Sequence, residues 1–418
     1  MRVLWFSNIL FPEASALLTG EGLLRSSGGW MVAAATELVK LPNLELGVAM
    51  ASSRVSTLTT LRGEKIQYFV MPQQQNSSEY RRDYEPFCRE ISDTFAPDVV
   101  HIHGTEYSLG LAYINSCGVE KVVVSVQGLI SVIADFYNYG LTKRDIFSNL
   151  TIRDFVKGNL LSNQRFMKKK GRIEIETLQK VRHVIGRTSW DRAHVWAINP
   201  KAQYHFCNET LREEFYTGVW SYEKCTPHTI FVSQASYPVK GVHQLFKAMP
   251  LILRQYPHTR IRIAGGYSVN GFIQKVIKRT GYSKYLSRLA DKLHIKDHIT
   301  YLGPLNAEQM KNEYLKANLY VNPSTIENSP NSLGEAQILG VPCISSYVGG
   351  TMDMIPNKEC GELYRFEDVE LLAYKVCELF EKSKNFDSAE MRHCALKRHN
   401  SLNNTQELIS IYKKIVGE

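Results

Sequence analysis

Glu327 and Glu335 stand eight residues apart in "STIENSPNSLGEAQILGVP", residues 324–342, where the chain leaves an apolar run, crosses a polar turn and enters a helix closed by Gly340 and Pro342. A carboxylate in such a turn accepts hydrogen bonds from sugar hydroxyls, and one at the start of the helix can hold a ribose diol. Ser329, Asn331, Ser332 and Leu333 lie between them, where the unpaired N–H groups of a helix start and its dipole attract phosphate. A purely structural reading is also open, because Ser332 and Glu335 have the S-x-x-E spacing of a capping box. Glu327 lies too far upstream to belong to that cap.

Further candidates lie elsewhere. In "SQASYPVKGVHQLFKAM" a strand leads through a loop to a helix, and Lys240 precedes Gly241 at the loop's end. It is either a cation aimed at an anion or an ordinary exposed lysine. Gly28 and Gly29 precede a helix in "LLRSSGGWMVAAATELVK", where bare backbone can approach a phosphate closely, or simply turn. "DVVHIHG" puts His101 and His103 on one face of a strand. A metal would need further ligands, and none has suggestive spacing. His103, at the strand end, is placed in or beside an acceptor pocket, and His101 is read as structural. Gln127 ends the next strand, "VVVSVQGLI", and can donate and accept hydrogen bonds but not serve as an acid or base.

These residues need elements to position them. Short β-rich runs alternate with helical patterns from end to end. "RVLWFSN", "LELGVAMASS", "DVVHIHG", "KVVVSVQG" and "HVIGRTS" form one strand series. After about residue 205 the pattern loosens, then resumes with "TIFVSQAS", "RIRIAGG", "ITYLGP", "LYVNPS" and "PCISS". Alternation of this kind predicts parallel sheets covered by helices, and there are more strands than one eight-stranded barrel requires. The fold class is α/β, with two doubly wound Rossmann-like domains facing across a cleft. Residues 1–205 form the first and 206–400 the second, with an amphipathic helix at 401–418 packing back on the first. Ligands of such sheets bind beyond the carboxyl ends of the strands, where Glu327, Lys240 and His103 all fall. Thr188 or Ser189 is expected to cap the helix "WDRAHVWAIN", with Trp190 and Trp196 as packing residues.

The segment around the two glutamates resembles the E-x7-E element of family 4 glycosyltransferases, retaining enzymes of the GT-B fold that move a sugar from a nucleotide donor. The likeness covers nearly the whole chain and includes "QILGVP" and the glycine loop "VGGTMDMI". It implies that Glu327 orients the sugar, that Glu335 holds the ribose, and that Lys240 lies on the donor diphosphate, with Gly28 and Gly29 across from it. Family members often carry an arginine five residues before that lysine. Ala235 stands there, so Arg187, Arg192 or a backbone N–H must supply the field. A histidine in much of the family stands where this chain has Gln127, which suits a reaction that needs no protein base. The resemblance implies a nucleotide-sugar donor, a glycan or lipid-linked acceptor, and a role in cell-surface polysaccharide synthesis. A non-catalytic nucleotide-binding homologue or partner subunit is the rival reading, followed by an epimerase or phosphorylase of the same fold.

The totals set bounds. At 418 residues, 44% hydrophobic and 22% charged, the chain can bury two cores. A net charge of +9 implies an anionic partner. The basic cluster "KKKGR", residues 168–172, is a candidate contact for an anionic membrane leaflet or a solvated helix face. No zinc-finger, RNA-binding or long basic arm points to nucleic acid. No D-x-D spacing appears, so no divalent metal or other cofactor is expected. Eight scattered cysteines without metal-ligand spacing read as reduced thiols. The apolar start is read as a first strand rather than a signal peptide, and no run reaches the roughly 20 residues that span a bilayer. The expected location is cytoplasmic, peripheral on the inner membrane face.

Overall fold

The computed structural model describes residues 1–20, 29–73, 78–265 and 279–417. The chain divides into two compact units: Met1–Val132 with Phe166–Leu211 and His399–Glu418, and Ile133–Arg165 with Arg212–Arg398. Residues 133–165, expected in the first domain, therefore belong to the second. Their short helices bond to partners there: Thr151 Oγ1 donates to Arg279 O at 2.9 Å, and Lys284 Nζ donates to Leu150 O at 2.8 Å. The boundary also falls after Leu211 instead of residue 205, because Cys207 remains packed in the first unit's core.

The first unit is built on an eight-stranded sheet of β1 (Arg2–Phe6), β2 (Glu45–Ser52), β3 (Thr59–Arg62), β4 (Ile66–Pro72), β5 (Val99–His103), β6 (Val122–Ser125), β7 (His183–Gly186) and β8 (Gln203–Phe206). Their order is β3-β4-β2-β1-β5-β6-β7-β8, parallel except for the β3/β4 pair. In β1, Leu4 and Phe6 enter one core while Val3 and Trp5 enter the other. Successive side chains point to opposite faces, and both faces are covered, which is why the run is continuously apolar. The helix Ser401–Val416 lies on the Trp5 face. Tyr412 there accepts from Trp5 Nε1 at 2.9 Å and pairs with His101 Nδ1 at 2.6 Å.

Among its described residues the second unit holds six parallel strands: β9 (Thr229–Val232), β10 (Arg260–Ala264), β11 (Ile299–Gly303), β12 (Leu319–Asn322), β13 (Cys343–Ser346) and β14 (Glu362–Tyr364). Their order is β11-β10-β9-β12-β13-β14. This is the doubly wound arrangement whose winding reverses between its first and fourth strands, here β9 and β12. Strands β3, β4, β8 and β14 escaped the sequence reading. β14 is only three residues long and begins on Glu362, and β3 alternates between half-buried and exposed residues.

Candidate functional site

The turn carrying Glu327 and the loop carrying Lys240 leave neighbouring parallel strands. β12 pairs with β9, Leu319 opposite Ile230 and Tyr320 opposite Phe231, so both loops emerge at the reversal point. They are then joined. Thr325 N donates to Val239 O at 2.7 Å, and Gly241, at φ +61°, brings its α-carbon so close that a Cβ would stand 1.7 Å from Pro323 O. Lys240 Nζ meets Glu327 Oε1 at 2.5 Å, and Ser324 Oγ donates to the same oxygen at 2.7 Å. Lys240 is not the ordinary exposed lysine of the alternative reading, since its side chain is 22% accessible and that of Glu327 13%. Burial works against the lysine's charge, but the adjacent carboxylate outweighs it and holds the ammonium above its usual range.

A third loop closes on this pair. It follows β13, the neighbour of β12, and contains the glycine pair noted in the sequence. Gly350 N donates to Glu327 O at 3.0 Å, and a Cβ on Gly349, at φ +52°, would lie 1.9 Å from that carbonyl. Three adjacent strands thus fix the backbone of Glu327.

The helix Asn331–Leu339 follows, with Pro330 at its N-cap and no side-chain cap. The Ser332–Glu335 capping box does not form. Ser332 Oγ accepts from Tyr320 OH at 2.9 Å, while Glu335 accepts from Arg212 Nη2 at 2.7 Å and from Tyr314 OH at 3.4 Å. Burial raises the Glu335 carboxyl above its usual range, with Arg212 and Tyr314 pulling the other way. The Leu333 amide, expected to face a phosphate, donates to Pro330 O at 2.9 Å and its side chain is core. Ser329 Oγ turns to Met354 Sδ at 3.7 Å. Asn331 opens the helix, at the position where anion-binding donors are expected.

Ala235 is buried and its N–H donates to Gln234 Oε1 at 3.0 Å. The arginines proposed to replace the charge missing there are engaged in the first unit. Arg187 is buried, ion-paired with Glu209, and donates to Val126 O and Gln127 O at 2.8 and 2.9 Å. Arg192 is exposed, its guanidinium 5.8 Å from the Tyr204 ring centre. Within the second unit, Arg212 is the arginine beside the site. Sequence reading missed it because "CNETLREEFY" has no periodicity and flanks the arginine with two acids.

In the first unit the winding reverses between β1 and β5, and a cavity of about 350 Å³ opens there, lined by Asn8, Gln73, Arg81, His103, Ser108 and Lys170 among others. His103, at the end of β5, lines this cavity. Its ring nitrogens have no hydrogen-bond partner among the described residues, and burial, then Arg187, pushes it down to about 3. His101, bonded to Tyr412 and to Ser125 Oγ at 2.5 Å, is structural. Gln127 is not part of this cavity's lining. Gly29 starts the helix Gly29–Leu38, while Gly28 lies outside the described residues. The cluster at 168–172 is divided: Lys170 lies 3.9 Å over the Tyr107 ring, whereas Lys168, Lys169 and Arg172 are exposed. Glu174, unnoticed in the sequence, is fully buried and accepts from Thr105 Oγ1, Ile130 N, Ser131 N and Ser131 Oγ at 2.5–3.1 Å. Burial carries it to about 7 against those donors. Thr188 caps Ser189–Ile198 in a capping box with Asp191, but Trp196 is exposed rather than packed.

Among the described residues no group of three or more His, Cys, Asp or Glu is placed to hold a metal ion, and no helix is long and apolar enough to cross a membrane. All eight cysteines are free.

Residues 222–394 match the family model described as glycosyl transferases group 1. The match spans the whole of the Lys240, Glu327 and Glu335 constellation and less of the chain than the resemblance suggested. Among curated proteins, a D-inositol 3-phosphate glycosyltransferase of Mycolicibacterium smegmatis is 33% identical over 145 residues, 34% of this chain and 32% of that protein. The gpi3 subunit of phosphatidylinositol N-acetylglucosaminyltransferase of Schizosaccharomyces pombe is 26% identical over 184 residues, 43% of this chain and 38% of its own. The chain thus spans about a third of the length of the curated relatives it matches.

The fold is GT-B. Sucrose-phosphate synthase from Thermosynechococcus elongatus superposes with a TM-score of 0.70 at 13% identity, covering 100% of this chain and 99% of that one. Anabaena HepE in complex with UDP and glucose superposes at 0.64 and 12% identity, covering 99% and 100%. Both are two-domain GT-B structures with parallel Rossmann-like sheets, as here.

Proposed function

We propose that the chain is a retaining glycosyltransferase of family 4, moving a sugar from a nucleotide-diphosphate donor to a glycan or lipid-linked acceptor without a divalent metal. Its proposed role is cell-surface polysaccharide synthesis on the cytoplasmic side. The observation that carries this reading is the Lys240–Glu327 pair at the β9/β12 reversal point, inside the segment that matches the group 1 model. Relatives named as glycosyltransferases and a neighbour bound to UDP and glucose support the donor class.

The pair suits departure of a diphosphate. As the bond from the anomeric carbon to the phosphate oxygen breaks, its electron pair leaves with the phosphate and positive charge develops on the sugar. A preorganised cation at that oxygen is worth roughly 3–4 kcal/mol of barrier. Lys240 is such a cation, kept protonated by Glu327. When the diphosphate arrives it competes for the ammonium, and Glu327 is freed to accept from sugar hydroxyls. The acceptor hydroxyl attacks on the face the phosphate leaves, and its proton passes to the departing phosphate oxygen, so no protein base is required. Glu335, anchored by Arg212, is assigned to the ribose. The first unit's cavity with His103 is assigned to the acceptor.

The test is release of free nucleotide from donor sugars. Thermal stabilisation across uridine, guanosine and adenosine diphosphate sugars selects the donor, since a specific ligand raises apparent stability with the logarithm of its concentration over Kd. With that donor, nucleotide release should be lost in Glu327→Ala while the protein stays folded. Stabilisation without release in the wild-type protein would make the chain a binder and overturn the enzymatic reading.

A further inference from the structure

The short helix Ile152–Lys157 is inside out. Ile152, Phe155 and Val156, spaced i, i+3, i+4 and thus on one face, are 69%, 78% and 78% exposed, whereas Asp154 between them is buried. Surface helices normally turn the apolar stripe inward. The inversion is fixed. Asp154 completes a capping box with Thr151 and accepts from Gly281 N at 3.3 Å, so the polar face is anchored to the unit and the apolar face is left outside. The preceding helix Lys143–Phe147 shares the device in part: it has a Thr142–Asp145 capping box and buries Ile146, but leaves Phe147 54% exposed. Arg288 Nη1 donates to Ser148 O at 2.8 Å and ties the link between the two helices to the helix Gly281–Lys292.

The two helices and the helix that supports them carry several cations, with one exposed acid, Asp291, paired to Lys296. Lys143, Arg144 and Lys157 are exposed on the two helices and Arg153 is half-buried, while the acids among them, Asp145 and Asp154, serve the capping boxes. Arg288 and Lys292 are exposed on the supporting helix. We propose that residues 143–157 are a preformed interfacial anchor that inserts Phe147, Ile152, Phe155 and Val156 into an anionic lipid bilayer, with these cations at the headgroups. Apolar side chains flanked by lysine and arginine are what binding in the interface plane requires, and each cation near an anionic leaflet strengthens binding about fivefold. The cluster at 168–172 offers charge without exposed large apolar side chains, so the membrane contact expected of it moves here.

The test is co-sedimentation of the full chain with vesicles of phosphatidylcholine alone or mixed with phosphatidylglycerol. It requires no donor and no turnover, so its outcome is independent of the transferase reading. Wild-type protein should sediment with the mixed vesicles and far less with the neutral ones, and salt should weaken the binding. Phe155→Ser/Val156→Ser should weaken it at least about tenfold, and Lys143→Gln/Arg144→Gln/Lys157→Gln, which leaves Arg153, Arg288 and Lys292, should weaken binding to the anionic vesicles by about 100-fold. The altered side chains are exposed, so thermal unfolding should be unchanged in both variants. Equal sedimentation with both vesicle types, or undiminished binding by the serine variant, overturns the proposal. So does a concentration-dependent dimer of wild-type protein that the serine variant loses, which would assign the face to a second copy.

Discussion

Lys240 and Glu327, 87 residues apart in sequence, meet at 2.5 Å because their loops leave adjacent parallel strands. The proposed function gives that contact a catalytic role beside its structural one, and a double-mutant cycle separates them. Removing either partner leaves a poorly solvated charge. Lys240→Met and Glu327→Gln should each cost about 1–3 kcal/mol in urea unfolding, and the double variant less than their sum. Nucleotide release should fall by about 100-fold or more in each single variant and should not recover in the double one. Recovery of both stability and activity in the double variant would mean that the pair is only a structural strut.

Gly241 is where the fold allows that meeting. Its φ of +61° and the 1.7 Å that a Cβ would leave to Pro323 O allow no side chain without moving backbone. Gly20 is a natural control, with φ +69° and nothing within 4 Å of a Cβ. Gly20→Ala should cost about 1–2 kcal/mol, the ordinary left-handed penalty. Gly241→Ala should cost more, about 3 kcal/mol or above, and should weaken binding of the nucleotide donor selected by the stabilisation screen, by separating Lys240 from Glu327. Equal effects in the two variants, measured by urea unfolding and by calorimetric titration with that donor, would show that the loop contact has no special role.

Much of this was legible in the sequence, for identifiable reasons. The strands that bear the candidate residues are buried on both faces, so "TIFV" and "LYVN" appear as apolar runs, and Lys240 and Glu327 lie on the loops that follow them. Glu327 stands out because it lies too far upstream to belong to the capping box. Glu335 was ambiguous, since capping-box spacing is a local pattern whereas its actual partner, Arg212, lies 123 residues away. Arg212 and Glu174 carry no periodic or motif signal, because their partners, Glu335 for the first and Thr105 and Ser131 for the second, are distant in sequence. The reassignment of residues 133–165 has the same origin, in hydrogen bonds such as Thr151 to Arg279 that no local pattern encodes.

Arg212 and Glu335 make a prediction with a definite pH sign. Burial raises the folded-state pKa of Glu335 above its unfolded value near 4.3. The protonated acid is therefore favoured by folding, and the stability associated with it is full below the unfolded pKa and lost as pH rises through the folded one. Arg212 limits that loss, so Arg212→Ala should destabilise by about 2–4 kcal/mol near pH 8. The deficit should shrink toward pH 4, where Glu335 is protonated in either protein. Glu335→Gln in the Arg212→Ala background should remove the pH dependence of that deficit. A deficit constant from pH 4 to 8 in urea titrations would refute the charge argument.

His103 titrates with the opposite sign. Its pKa falls from 6.5 to about 3 on burial, with Trp5 4.4 Å and His101 3.8 Å from its ring centre. The unfolded chain therefore binds one more proton than the folded one between those values. The stability linked to His103 is complete above pH 6.5 and declines as the solution is acidified, by about 1.4 kcal/mol for each pH unit within the window. His205, lowered to about 4, and His243, lowered to about 3, add slopes of the same sign. Only a difference between proteins isolates one residue. His103→Phe keeps an aromatic ring among Trp5, Trp30 and His101 and deletes the titration. Its unfolding free energy, followed in urea from pH 7 to pH 5, should fall less steeply than that of the wild-type protein, by a difference that grows to nearly one proton at pH 5. Parallel slopes would mean that His103 takes up its proton in the folded state, through the cavity it lines, and that the ring is open to water at the reversal of the first sheet.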